Sequence, residues 1–250
     1  PQSVSLVFSS SYLNNPGSMF GHTFLRFHRT PNPDGSAAAM LDYAVSFAAY
    51  PTTKNAILYV MAGLAGWFPG YFDILPYYMK VQEYNNYESR DMWEYELNLT
   101  PDQARLMILS VFEIATNRID YYYFDDNCAY LPLALMEIAD PSLELTSRMQ
   151  TWVAPSDAVR IIATTKGLIR NTRYRPSNYS RFLMRYDRLL NNETAAVNTL
   201  ISENRREKIP QLLVNYDPPA RARILDAALE YIDFKEKLGG AETNAVLFAN

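Results

Sequence analysis

A single cysteine, Cys128, stands in 250 residues. No internal disulfide can brace such a chain, so a sizeable apolar core has to hold it together. The composition supplies one, with 48% hydrophobic and 20% charged residues, a globular balance and not a disordered one. The cysteine lies in Tyr121-Tyr122-Tyr123-Phe124-Asp125-Asp126-Asn127-Cys128-Ala129-Tyr130, ahead of an apolar run from Leu131 to Ala139 with helical character. Asn127 is a favoured N-cap, which predicts Cys128 in the first helical turn. Unpaired N–H groups and the positive end of the helix dipole there favour thiolate over thiol, as a nucleophile requires. The same position also suits a small buried hydrophobe.

A catalytic thiol needs a base and a group that orients the base. The chain has two histidines, His22 and His28. Both fall in a strand predicted from Phe20 to His28, where alternation puts His22, Phe24, Arg26 and His28 on one face and Thr23, Leu25 and Phe27 on the other. His22 follows Gly21, where a backbone can approach closely, and is the favoured base. His28 ends the strand just before Arg29 and Pro31. A structural role is the alternative for either. Met40 to Phe47 reads as the next strand of an antiparallel hairpin. Its Asp42 is the better acceptor for an imidazole, with Ser46 as the alternative third member. Symmetric counting pairs Asp42 with Arg26 and Ser46 with His22; a bulge or uneven loop exchanges the partners.

Elsewhere, Val4 to Phe8 reads as a strand, and Thr53 to about Leu64 as a short helix followed by an irregular aromatic loop, because Gly and Pro interrupt it. Tyr78 to Tyr87 is expected to be extended and Asp91 to Leu97 a strand. Thr100-Pro101-Asp102-Gln103 is a capping-box helix start, and that helix is expected to run to about Asn117. Pro132 is expected to loosen the turn after Cys128. After Pro141 the pattern is mostly helical: 157–165, 179–190, 193–203 and 218–238, the last capped by Asp217. A core over residues 1–140 and a helical extension over 141–250 follow.

The stretch Leu58 to Phe72, with Tyr59, Met61, Leu64, Trp67, Phe68, Tyr71 and Phe72, suits an apolar slot for a fatty chain, or equally core packing. Arg26, Asn127 and Tyr130, close in sequence to the histidines and the cysteine, are further candidate substrate contacts. Net charge is −4, which argues against general nucleic-acid binding. Residues 160–188 nevertheless carry about +7, suited to an anionic lipid surface or to basic helix faces paired with acids. No cofactor motif or metal-ligand spacing is recognised. No apolar run reaches a membrane span. No secretory apolar region is present, and Pro1 reads as a mature N-terminus.

Taken together, Gly21-His22-Thr23-Phe24-Leu25-Arg26-Phe27, Leu41-Asp42-Tyr43-Ala44-Val45, Pro76-Tyr77-Tyr78 with Lys80-Val81-Gln82-Glu83-Tyr84, Arg90-Asp91-Met92-Trp93-Glu94-Tyr95 and Asp126-Asn127-Cys128-Ala129-Tyr130 resemble the family called Lnb N-terminal periplasmic domain. The likeness runs from about Ser5 to Ala139. The motif order also resembles the circularly permuted papain-like group that includes lecithin–retinol acyltransferase. The resemblance implies an α+β fold, a permuted papain-like core of small antiparallel sheet packed on helices. It implies a periplasmic or envelope thiol acyltransferase of a Gram-negative bacterium, with Cys128 as nucleophile, His22 as base and Asp42 as third member. A phospholipid would donate the acyl chain and an amine, such as a lipoprotein N-terminus, would accept it. Many relatives look like larger proteins, so this chain is expected to be part of one. Position 129 is Ala where Ser is common in the family. Two other readings use the same residues: a papain-like hydrolase of peptide or cell-wall amides, and a non-catalytic envelope module.

Overall fold

The structure is a computed structural model describing residues 1–11, 20–29, 39–49, 67–115, 117, 119–122, 127–149, 154–203 and 209–248. The helix expected at 53–64 lies outside these residues. The chain forms two compact units, residues 1–81 with 92–175, and residues 82–91 with 176–250.

The first unit is built on a seven-stranded antiparallel sheet: β1 (Ser3–Ser9), β2 (His22–His28), β3 (Tyr43–Ala49), β4 (Phe68–Pro76), β5 (Met92–Leu97), β6 (Ile119–Tyr121) and β7 (Ile169–Arg175), in the spatial order β6-β4-β3-β2-β1-β5-β7. The fold class is therefore α+β, as expected. Alternation gives the sheet two different faces. One carries Val4, Leu6, Leu25, Phe27 and Val45, and is buried under α2 (Pro101–Ile114), α3 (Tyr130–Ala139) and α4 (Pro155–Thr164) through Met107, Val111, Leu133, Met136, Ile161 and Ile162. Each such aliphatic or Phe side chain contributes about 1.5–3 kcal/mol by leaving water, which is how the chain holds without a disulfide. The other face carries Val7, Phe24, Arg26 and Glu94, and the buried Tyr77 of α1 (Tyr77–Lys80) lies with its ring centroid 6.4 Å from that of Phe24.

Several expectations are corrected. Residues 68–76 are strand β4, not an irregular loop, because Gly70 to Pro76 pair with β3 and Phe68 to Gly70 with β6. Gly70 is required there: a Cβ would lie 2.3 Å from the Phe47 ring. Tyr78 to Tyr87 is not extended. It is α1 followed by a π-helix, Val81–Tyr87. The stretch after Pro141 is mostly helical, as expected, but also holds strand β7, which pairs with β5 from Arg175 to Ile169. Residues 155–175 accordingly belong to the first unit, beyond the division expected near residue 140. The Thr100–Gln103 capping box forms as read, Gln103 N–H donating to Thr100 Oγ1 and Thr100 N–H to Gln103 Oε1.

The second unit is a helical cluster of α5 (Asn178–Tyr186), α6 (Asn191–Glu203), α7 (Ile209–Leu213) and α8 (Pro218–Phe248). Its core joins Phe182, Ala196, Val197, Leu213, Ile224 and Ala227. Asp217 caps α8 as expected, accepting from Ala220 N–H at 2.8 Å. Among the described residues, arginines between 160 and 188 form ion pairs: Arg160 with Asp157, Arg170 with Glu96 and Arg175 with Glu94 in the first unit, Arg181 with Glu230 and Arg185 with Asp226 in the second. The basic stretch is thus largely matched by the acidic remainder of the chain.

Candidate active site

Gly21 opens β2 with φ +93°, and a Cβ would lie 2.7 Å from Phe8 Cε2 and 2.9 Å from the Ser9 carbonyl. Glycine is therefore required on both steric and conformational grounds. It delivers His22 as the first residue of the strand, buried and ring-stacked on Phe24 at 6.4 Å. His22 Nε2 lies 2.9 Å from Ser46 Oγ on β3.

Register decides the third member. Arg26 pairs with Ala44 and Leu25 with Val45, two residues away from the symmetric count. An even shift keeps every side chain on its face. Ser46 still meets His22. Asp42, just before β3, turns to the opposite end of β2: its Oδ2 accepts from Arg26 Nε at 3.0 Å and Nη2 at 2.8 Å and lies 3.1 Å from His28 Nδ1, while Oδ1 accepts from Arg29 N–H at 2.9 Å. The expectation that Asp42 orients His22 is corrected; Ser46 holds that position.

Cys128 precedes the first residue of α3, in the turn that leads into it. Asn127 nevertheless caps through its side chain, Oδ1 accepting from Ala129 N–H at 2.8 Å and Tyr130 N–H at 3.3 Å. Pro132 therefore falls in the first turn, where a missing N–H removes no intrahelical bond. The turn is anchored to β2 by Thr23 Oγ1–H donating to the Cys128 carbonyl at 2.5 Å. Chain geometry then keeps the Cα atoms of His22 and Cys128 within about 11 Å. Thr23 lies on the face buried by the helices, whereas the His22 ring lies on the Phe24 face. Cys128 is buried, with 4% of its surface exposed.

The expected slot residues divide. Tyr59 and Leu64 lie outside the described residues. Phe68 is buried and Phe72 packs on the helix-covered core. Phe72 lies 5.2 Å from the Phe47 ring, which stacks on Tyr121 at 5.4 Å. Tyr71 is on the opposite face, and Trp67 is 64% exposed. The aromatic group Phe47–Phe72–Tyr121 thus shares the sheet face of Thr23, which grips Cys128.

Arg26 is framework. It is buried, donates to Asp42, to Glu94 Oε2 at 2.5 Å and to the Ala39 carbonyl at 3.0 Å, and lies 4.2 Å over the Tyr77 ring. Tyr77 O–H donates to Glu94 Oε1 at 2.5 Å. Burial, then the Glu94 carboxylate, push the Tyr77 phenol far above its usual range. No role for Tyr77 or Thr23 is signalled by the sequence pattern, although each stands inside one of the motifs that carry the family resemblance.

A family model described as Lnb N-terminal periplasmic domain matches residues 1–165. The chain belongs to the Lnb N-terminal periplasmic domain family. The match spans the sheet through β6, the Cys128 turn, and helices α2 to α4. Membership makes this a periplasmic protein associated with the cell envelope. No helix among the described residues is long and apolar enough to cross a membrane. Neither a curated protein nor a solved structure matches the chain.

Proposed function

We propose that this Lnb-family domain is a cysteine-dependent acyltransferase with a permuted papain-like arrangement of base and nucleophile. The observation that carries the reading is the Thr23–Cys128 hydrogen bond, which ties the cysteine turn to the residue next to His22 across 105 positions of sequence. His22 begins its strand, and this reading requires the thiol on the adjoining turn to come round that strand end to the imidazole. In this reading His22 serves the thiol while Ser46 Oγ lies 2.9 Å from its Nε2.

In this scheme Cys128 attacks the ester carbonyl of a phospholipid, and its proton passes to His22. The lysophospholipid alcohol leaves with that proton, and a thioester remains on Cys128. An amine, such as the N-terminus of a lipoprotein, then attacks the thioester. His22 takes the amine proton and returns it to the departing thiolate. Phe47, Phe72 and Tyr121 supply apolar surface beside the acyl chain. Trp67 and Tyr71, exposed on β4 and just before it, suit contact with the lipid.

The burial of Cys128 and the facing of His22 favour a second reading, an envelope module without catalysis. Incubation with phospholipid followed by intact-mass analysis separates them. The acyltransferase reading expects one fatty-acyl mass on Cys128, labile to hydroxylamine, transferred when an amine peptide is added, and lost in Cys128→Ala and His22→Ala. An adduct discharged only to water would point to a hydrolase. An unmodified wild type would point to the module.

A further inference from the structure

The far end of β2 carries a second set of side chains in catalytic order, unused by the thiol chemistry. Ser5 pairs in register with Arg26, and Ser3 with His28, so Ser5 and His28 are diagonal neighbours on one face of the sheet. Ser5 Oγ lies 2.7 Å from His28 Nε2, and His28 Nδ1 lies 3.1 Å from Asp42 Oδ2. Hydroxyl, imidazole and carboxylate are thus each within hydrogen-bond reach of the next, the order that activates a serine.

Burial alone would raise the Asp42 carboxyl, but hydrogen bonds from His28, Arg29 N–H and Arg26 overcome it and hold the group below the usual carboxylate range. Asp42 is therefore an ionised acceptor. It assigns the proton of the neutral ring to Nδ1 and leaves Nε2 as the acceptor for the Ser5 hydroxyl. Arg26 is also paired with Glu94, so Asp42 is not its sole counter-charge.

We propose that Ser5 is a second nucleophile of this chain, activated by His28 and Asp42 and directed at small esters. Ser5 is 2% exposed, whereas the His28 side chain is 23% exposed. A hydroxyl this enclosed excludes a fatty chain, so the proposal is limited to an acyl group of acetyl size entering beside the partly exposed His28. Ser5 Oγ attacks the ester carbonyl as its proton moves to His28 Nε2. The tetrahedral adduct collapses, and the alcohol leaves with that proton. Water then attacks acyl-Ser5 along the same path, its proton going through His28 to Ser5 and its hydroxyl to the acid product. Ester and water become acid and alcohol, with no other reactant.

The test uses the full chain carrying Cys128→Ala, so the thiol cannot contribute and the outcome is independent of the acyltransferase reading. The probes are methanesulfonyl fluoride, no larger than an acetyl donor, and p-nitrophenyl acetate, read by intact mass, peptide mapping and nitrophenol release. One methylsulfonyl adduct, formed with loss of fluoride, is expected on Ser5 and is absent in Ser5→Ala. Nitrophenol release should fall to background in Ser5→Ala, and by about 100-fold in His28→Gln. Thermal melting checks that both variants fold; if His28→Gln does not, the Ser5→Ala pair decides. No adduct in the folded Cys128→Ala chain, an adduct elsewhere, or equal release from Ser5→Ala would overturn the proposal.

Discussion

The two ends of β2 put one residue type to different uses. At the start, His22 meets the neutral hydroxyl of Ser46, and the next residue grips the cysteine turn. At the finish, His28 meets an ionised carboxylate, with Arg26, Glu94 and Tyr77 behind it. Six residues apart and on one face, the histidines differ in what surrounds them. The difference teaches that a histidine's role follows its neighbours' charges, which register sets. The charged end is rigid and costly to disturb. The neutral end holds the Ser46–His22 contact and the Thr23 bond to the Cys128 carbonyl.

The largest effect expected is at the charged end. Arg26→Met strands Asp42 and Glu94 without their buried partner and should cost about 3–5 kcal/mol of stability, measured by denaturant unfolding. A loss below about 1 kcal/mol would break the contrast. At the neutral end, Thr23→Val removes the buried bond to the Cys128 carbonyl and should cost about 1–3 kcal/mol. Thr23→Ser should recover most of it, and Val and Ser variants of equal stability would show that the anchor does not matter.

Acid titration separates the ends again. Asp42 titrates lower in the folded chain than in the unfolded one. Its stabilisation is therefore complete above the unfolded carboxylate value of about 3.9 and disappears as pH falls through the lower folded value. Unfolding free energy should drop below about pH 4, and Asp42→Asn should flatten that limb while lowering the neutral-pH plateau. An unchanged limb in Asp42→Asn would remove Asp42 from the linkage. The smallest effect is at Trp67: its exposure predicts that Trp67→Ala stays within about 0.5 kcal/mol of wild type, while acyl transfer from phospholipid vesicles slows. A large stability loss would make Trp67 core and not lipid-facing surface.

Much of this layout could be read from the residues alone, for reasons that are local. The Thr100–Gln103 cap, the alternation of β2 and the Asp217–Pro218 start each need only a few adjacent residues. The faces of β2 and β3 survived because the register error was even. The counted partner of His22, Ser46, held too; the preference for Asp42 failed because Arg26, His28 and Arg29 engage that carboxylate at the other end of β2. Strand β4 was hidden because Pro69, Gly70 and Pro76 are breakers in isolation. Gly70 makes sense only once the Phe47 ring covers it, a contact between strands. Thr23 escaped notice for a similar reason: a threonine in a strand is ordinary until a carbonyl from 105 residues away arrives at its hydroxyl. The Ser5–His28–Asp42 order likewise needs β1, β2 and the entry to β3 side by side.

The pairing of Cys128 with His22 is tested most directly by the rate of alkylation of the single cysteine with iodoacetamide at fixed neutral pH. The account predicts wild type fastest, Ser46→Ala intermediate, and His22→Ala slowest by about 100-fold. Equal rates in wild type and His22→Ala, with both folded, would contradict it.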